Sequence, residues 1–200
     1  MPIENRQALL RERLEKTPIF DVEPEIVRWA ILHTNIFLER WAKGNQSHWT
    51  QNDERNNYIG MIGHKCFEAV LQQFEIPYVP NDPTLDWRLK KNYDFHVPAV
   101  GTIEVKTVDF KANQTRLLVK CAEWHRNDFC LAIKLGDEAP THARFMGYAT
   151  GEEVEKFERF ENEWPCLIYP CYCKPLKNLH GANEFIDKLI TASHNSPHHY

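Results

Sequence analysis

Apolar residues recur at helical spacing in two N-terminal stretches, then give way to short apolar runs of strand length. Ile26, Trp29, Ala30, His33, Ile36, Phe37 and Trp41 fall on one face of a helix that opens at Glu23-Pro24-Glu25 and can end at Gly44. A proline in the first turn gives up only an N–H that has no partner there, and acids beside it meet the positive end of the helix. Residues 58–74 predict the next helix, with Ile59, Ile62, Cys66, Val70, Leu71 and Phe74 as its buried side and Pro77 and Pro80 beyond its end. Residues 3–16 predict a short polar helix. Residues 45–57, polar throughout, predict a loop. Further on, residues 95–97, 102–108, 116–121, 129–135, 143–149 and 167–173 predict strands. Thr150-Gly151-Glu152-Glu153 predicts a helix running to about residue 161, and residues 183–192 predict a closing helix. Helices, then strands, then a mixture of both imply α/β or α+β packing around a central sheet.

Composition narrows the class. Two hundred residues suit one domain with a helical appendage. An apolar fraction of 42% and a charged fraction of 26% are ordinary for a soluble globular chain. No apolar run approaches a membrane span, and residues 1–16 are charged and helix-prone rather than signal-like, so the chain reads as intracellular and cytoplasmic with no membrane partner. A chain of this length builds a core without disulfides, so its six cysteines read as thiols.

The net charge of −4 does not advertise a nucleic-acid binder. Its distribution says more. Residues 88–120 hold seven basic side chains against three acids, a balance of +4, whereas residues 151–163 carry six glutamates against Lys156 and Arg159, a balance of −4. The basic window contains Asp94, a turn-forming segment from Pro98 to Gly101, and Glu104-Val105-Lys106 within an apolar run. Strand side chains alternate faces, so Glu104 and Lys106 share one face while Ile103, Val105 and Thr107 share the other. A hairpin at 98–101 can fold Asp94 back beside Glu104.

Two carboxylates and an ammonium on one patch suit a hard divalent cation and a phosphodiester. Asp94 and Glu104 would hold Mg²⁺, with Mn²⁺ as a substitute and the Val105 carbonyl as a third oxygen. Lys106 would help deprotonate water or neutralise charge in the transition state. Crowded carboxylates should also gain affinity for protons. Glu68 lies on the predicted helix 58–74, in a stripe with Gly60 and His64 where a glycine lets another backbone come close. Its carboxylate could reach the ion's outer shell or a second ion. Glu-x-Lys alone is common on ordinary edge strands, and a lone helical glutamate is more often solvated.

A glutamate on a helix, then an aspartate, then Glu-x-Lys on a strand resembles the PD-(D/E)xK, or restriction-endonuclease-like, nuclease superfamily. Glu123-Trp-His-Arg-Asn-Asp-Phe129 before an apolar strand, and Phe145-Met-Gly-Tyr-Ala-Thr-Gly-Glu-Glu-Val154, resemble the segments that follow the catalytic strand in that family. The resemblance spans roughly residues 58–190, and Tyr93 stands where the family's proline would precede Asp94. It implies a three-layer α/β/α sandwich around a mixed central sheet and Mg²⁺-dependent hydrolysis of phosphodiester bonds in DNA. It also implies that Glu68, Asp94, Glu104 and Lys106 take the family's four catalytic positions. The chain then divides into a helical N-terminal extension (1–57), a restriction-endonuclease-like core (58–192) and a flexible tail (193–200).

Arg88, Lys90, Lys91, Gln114, Arg116 and Lys120 are the side chains that could contact the DNA, each equally readable as a solvated polar group. Cys166, Cys171, Cys173 and His180 could hold zinc, but the Cys-x-Cys spacing is too tight for the usual knuckle, and alternating cysteines more often pack as small apolar residues. Trp29, Trp41 and Trp49 could stack on bases, although aromatic residues at helical spacing are usually core. The alternative to a nuclease is a catalytically inactive DNA-binding or protein-interaction module on the same fold. Cutting both strands would need two sites, which admits a homodimer.

Overall fold

Strand-length apolar runs assemble into a six-stranded mixed sheet, and the helical runs pack against it. The computed structural model describes residues 19–42, 51–81, 93–109, 115–121, 124–136, 140–160 and 170–195. In chain order these form β1 (Ile19–Asp21), α1 (Pro24–Ala42), α2 (Gln51–Gln73), β2 (Val79–Pro80), β3 (Phe95–Val97), β4 (Gly101–Val108), β5 (Arg116–Lys120), β6 (Phe129–Leu135), β7 (His142–Thr150), α3 (Gly151–Val154), β8 (Glu158–Phe160), β9 (Cys171–Pro175), a 3-10 turn (Leu176–Asn178) and α4 (Ala182–Asn195). The main sheet runs β1-β7-β6-β4-β3-β2, and a second, three-stranded sheet runs β5-β9-β8. Among the described residues only β4 and β6 pair in parallel; the other pairs are antiparallel. The chain is therefore α/β with a mixed sheet.

The sheet's two faces bury different things. Ile103, Phe129, Leu131, Ile133 and Phe145 meet Ile62, Phe67 and Leu71 of α2 and Phe185 and Ile186 of α4 in the larger core. Five phenylalanines close it edge to face, with Phe67 5.3 Å from Phe95, Phe129 5.1 Å from Phe185, and Phe145 6.4 Å from Phe67 and 6.3 Å from Phe185. Emptying one such position to alanine costs about 3–5 kcal/mol. On the other face Val108, Cys130, Ala132 and Ala149 meet Leu117, Val119, Trp124, Val154 and Phe157, which come from the small sheet, the short α3 and their connections. Strand β6 is covered on both sides, which is why it reads Phe-Cys-Leu-Ala-Ile without polar alternation.

Helix α1 starts at Pro24 as expected and buries Ala30. The predicted buried side of the second helix is buried in full. That helix, however, begins at Gln51, where polar composition predicted a loop through residue 57. Its first turns have no apolar stripe to announce them. They are held instead by Arg55, whose guanidinium donates two hydrogen bonds to Asp109 past the end of β4, at 3.0 and 3.1 Å. The division at 57/58 thus falls inside one continuous helix, and β1 lies in the main sheet against β7.

At its other end α2 stops on Glu75, which takes a left-handed φ of 57°. The Glu75 N–H donates to the Gln72 carbonyl at 3.0 Å and the Ile76 N–H to the Leu71 carbonyl at 2.9 Å. This is a Schellman closure, and buried Leu71 and Ile76 occupy the two positions whose contact usually accompanies it.

The helix predicted to reach residue 161 is a single turn. A capping box starts α3, with Glu153 accepting the Thr150 N–H at 2.9 Å. Lys156 and Phe157 then tighten onto carbonyls three residues back, and Glu158–Phe160 pairs with β9 instead. Strand pairing with a distant segment outweighs the local helical preference. The strand predicted at 167–173 is seen as Cys171–Pro175, its first three residues lying outside the described set. The closing helix runs from Ala182 to Asn195. The helix predicted at 3–16 also lies outside the described residues. Among those described, no helix is long and apolar enough to cross a membrane.

Candidate functional site

The site begins with a hairpin. β3 and β4 pair in the register Phe95↔Ile103, His96↔Thr102, Val97↔Gly101, closed by the Val100 N–H on the Val97 carbonyl at 2.9 Å. Just before β3, Asp94 leaves that register and folds beside residues 103–105 of β4. The Asp94 N–H donates to the Ile103 carbonyl at 3.0 Å, and its Oδ2 accepts the Val105 N–H at 2.7 Å. A strand residue's N–H and carbonyl point to the same side, so the Val105 carbonyl also projects toward the Asp94 side, beyond the end of β3. Lys106 Nζ donates to Glu104 Oε1 at 2.6 Å. Both carboxylates and the ammonium therefore gather around one peptide of β4.

Helix α2 supplies the wall. His64 is buried, stacks on Phe95 with ring centroids 4.4 Å apart, and places Nδ1 3.9 Å from Asp94 Oδ1. The helix approaches β4 closely at Gly63 rather than at Gly60. A side chain at Gly63 would collide with Thr107, while Gly60 has open space around it. Glu68, one turn beyond His64, is buried too. Its carboxylate takes hydrogen bonds from Lys65 and from the Tyr78 hydroxyl, the latter at 3.1 Å.

Electrostatics set the protonation of the corner. Burial opposes the Asp94 anion, but His64, Lys106 and the Val105 N–H outweigh it and hold the carboxyl below its usual range. Crowding alone would have raised it, so the opposite shift is due to His64, Lys106 and the backbone donor. Burial likewise opposes the Lys106 ammonium, yet Glu104 and then Asp94 push its pKa above the ordinary lysine value. Beside them, burial pushes the Cys130 thiol well up. At neutral pH Asp94 is an anion, Lys106 a cation and Cys130 a neutral thiol.

The other expected residues fall elsewhere. Arg116 sits on β5 near Cys173 Sγ at 3.8 Å and over the Phe160 ring at 5.5 Å, so it belongs to the small sheet. Lys120 is exposed at the end of β5. Arg88, Lys90, Lys91, Gln114, Cys166 and Trp49 lie outside the described residues, as does the side chain of Trp41. Cys171 and Cys173 are buried. His180 pairs with Glu153 at 2.8 Å. Trp29 is occupied by His33, stacked at 4.0 Å, and by the Lys65 ammonium 4.5 Å from its ring.

Sequence reasoning gave no role to His64 and missed Asn127, whose Nδ2 lies 3.4 Å from Glu104 Oε2. His64 carried a signal, since it stands one turn before Glu68. Asn127 carried none, because it reaches Glu104 across 23 residues. Among the described residues no group of three or more His, Cys, Asp or Glu side chains stands together as a metal cage. The Asp94 and Glu104 carboxylates, both hard oxygen donors, act on the same Lys106 ammonium. No protein-family model, curated protein or solved structure matches the chain.

Proposed function

We propose that this protein is a metal-dependent DNA endonuclease of the PD-(D/E)xK type. The observation that carries the reading is the Asp94 carboxylate on the Val105 N–H, at 2.7 Å, beside the Glu104–Lys106 pair. Together they gather two carboxylates, a carbonyl and an ammonium at the end of a hairpin. Such a set suits Mg²⁺, which takes one or two carboxylates and keeps several waters, and Mn²⁺ accepts the same oxygens. Asp94, Glu104 and the Val105 carbonyl would hold the ion, which when bound supplies a water acidic enough to attack and offsets charge on the phosphoryl oxygens.

The chain's own residues do the rest. Lys106, held protonated by its two carboxylates, neutralises charge that develops on the scissile phosphate. It acts as a cation rather than as a base while Glu104 and Asp94 face it. His64 and the Val105 N–H keep Asp94 ionised and aimed.

The reading brings with it a three-layer α/β/α core in which the layer opposite α2 is reduced to the single turn of α3 and the small sheet. It also brings a cytoplasmic setting, and a homodimer where both strands are cut. The inactive-module alternative draws on Glu68, whose carboxylate is engaged by Lys65 and Tyr78.

The test is incubation of purified protein with supercoiled, linear, single-stranded and branched DNA, with Mg²⁺, with Mn²⁺ and with chelator, alongside Asp94→Asn. Cleavage should require the metal and fall by roughly 10³-fold or more in the variant. Cleavage by Asp94→Asn at the wild-type rate would refute the assignment. Metal-independent DNA binding without cleavage would leave the inactive module.

A further inference from the structure

We propose that Asn127 is a positioning residue that aims the Glu104 carboxylate, so that ion affinity at the Asp94–Glu104 corner depends on its side-chain amide. The inference rests on the nuclease reading and names a residue that reading does not use. Glu104 has two oxygens with different partners. Oε1 takes the Lys106 ammonium, and Oε2 faces the Asn127 amide at 3.4 Å. Asn127 is 3% exposed, so its amide is presented from inside the protein rather than from a solvated loop.

The corner that presents it is held on three sides. Asp128 Oδ2 accepts the Thr102 N–H at 2.7 Å and the Thr102 hydroxyl at 2.8 Å, and the Asp128 N–H donates back to that hydroxyl at 3.0 Å. These bonds fix the corner to the start of β4, two residues before Glu104. On the opposite side the Gly151 N–H donates to the Asp128 carbonyl at 2.8 Å. A side chain at Gly151 would collide with the Asn127 carbonyl, so the first residue of α3 lets the corner seat. Arg126 takes a left-handed φ of 56° and pairs with Glu155 at 2.9 Å. A non-glycine residue holds that conformation only where its surroundings over-determine it.

The consequence for an ion is specific. Lys106 competes with it for Oε1, whereas the neutral amide does not compete. Asn127 fixes the plane of the carboxylate without adding charge, so Glu104 keeps one orientation when Lys106 turns to a phosphate. Partners of this kind set ligand geometry, and losing one costs metal affinity.

The experiment measures Mn²⁺ binding, by titration calorimetry and electron paramagnetic resonance without DNA, for wild type, Asp94→Asn, Asn127→Leu and Asn127→Ala. Wild type should bind and Asp94→Asn should not. Asn127→Leu keeps size and removes the donor, so it should bind roughly 10-fold more weakly or worse, as should Asn127→Ala. Wild-type affinity in Asn127→Leu would overturn the role of Asn127 while leaving the nuclease reading intact. Absence of Mn²⁺ binding by wild type would overturn the reading and the role together. Should the variants fail to fold, ¹⁵N-labelled wild type serves instead. Its Asn127 side-chain amide signals should be among the first that Mn²⁺ broadens, and amide signals that stay sharp at saturation would sink the proposal.

Discussion

Two clusters of ionisable side chains sit on this sheet, and they are built for different ends. At the Asp94 corner the carboxylates of Asp94 and Glu104 and the Lys106 ammonium are mostly buried, with side-chain exposures of 20, 14 and 25%. At the far side of β7, Glu153 pairs with His180 at 2.8 Å and the Tyr148 hydroxyl donates to Glu184 at 2.6 Å, with His180 43% exposed. Burial and then Glu184 push Tyr148 up to about 12, and Glu153 is held below the carboxylate range despite some desolvation, by Thr150 and His180. Every member of the second cluster has a visible structural task. Glu153 caps α3, Tyr148 bridges to α4, and His180 exchanges backbone bonds with Tyr148 at 2.9 and 3.1 Å. The first cluster ends no helix. A buried ion pair stabilises a fold poorly compared with apolar residues of the same size, so its presence asks for a chemical explanation.

Substitutions can break this contrast. Lys106→Met should be the largest, costing about 3 kcal/mol in urea denaturation, because it leaves buried carboxylates without their cation. Next comes acid sensitivity. Asp94 has a depressed pKa, so its contribution is complete above the ordinary carboxylate value and is lost as pH falls through the folded one. The stability gap between wild type and Asp94→Asn should therefore narrow across the acid window below the ordinary carboxylate value. A gap that stays constant across that window would mean Asp94 is not held ionised.

Glu68→Gln should slow cleavage by about 10-fold, the low end for a group outside the ion's own ligands. A loss as complete as that of Asp94→Asn would make Glu68 a direct ligand of the ion. Glu75→Gly should raise stability by about 1 kcal/mol, since glycine takes the left-handed position without steric cost. Smallest of all, His180→Ala should cost under about 1 kcal/mol, as half-exposed pairs do. Equal losses at Lys106 and His180 would erase the contrast between the two clusters.

What could be read along the chain was local. The buried side of α2 followed from 3.6-residue spacing at Ile59, Ile62, Cys66, Val70, Leu71 and Phe74. The β3–β4 hairpin followed from a turn between two apolar runs, and Glu104 with Lys106 on one face followed from strand alternation. Contacts between distant segments could not be read. The polar start of α2 depends on Arg55 meeting Asp109, the extended 158–160 depends on β9, and β1 depends on β7. Glu68 looked available because its helical stripe was visible while Tyr78 was not. Asn127 left no periodic trace, since it lies before β6 and its partner is 23 residues away on β4.

The main sheet also has an architectural consequence. Among the described residues its outermost strands are β1, three residues long, and β2, two residues long and carrying Pro80. Borders this brief offer a foreign chain almost no ladder to extend, and the proline withholds a donor besides. Among the described residues, the main sheet thus presents no long border for another chain to extend.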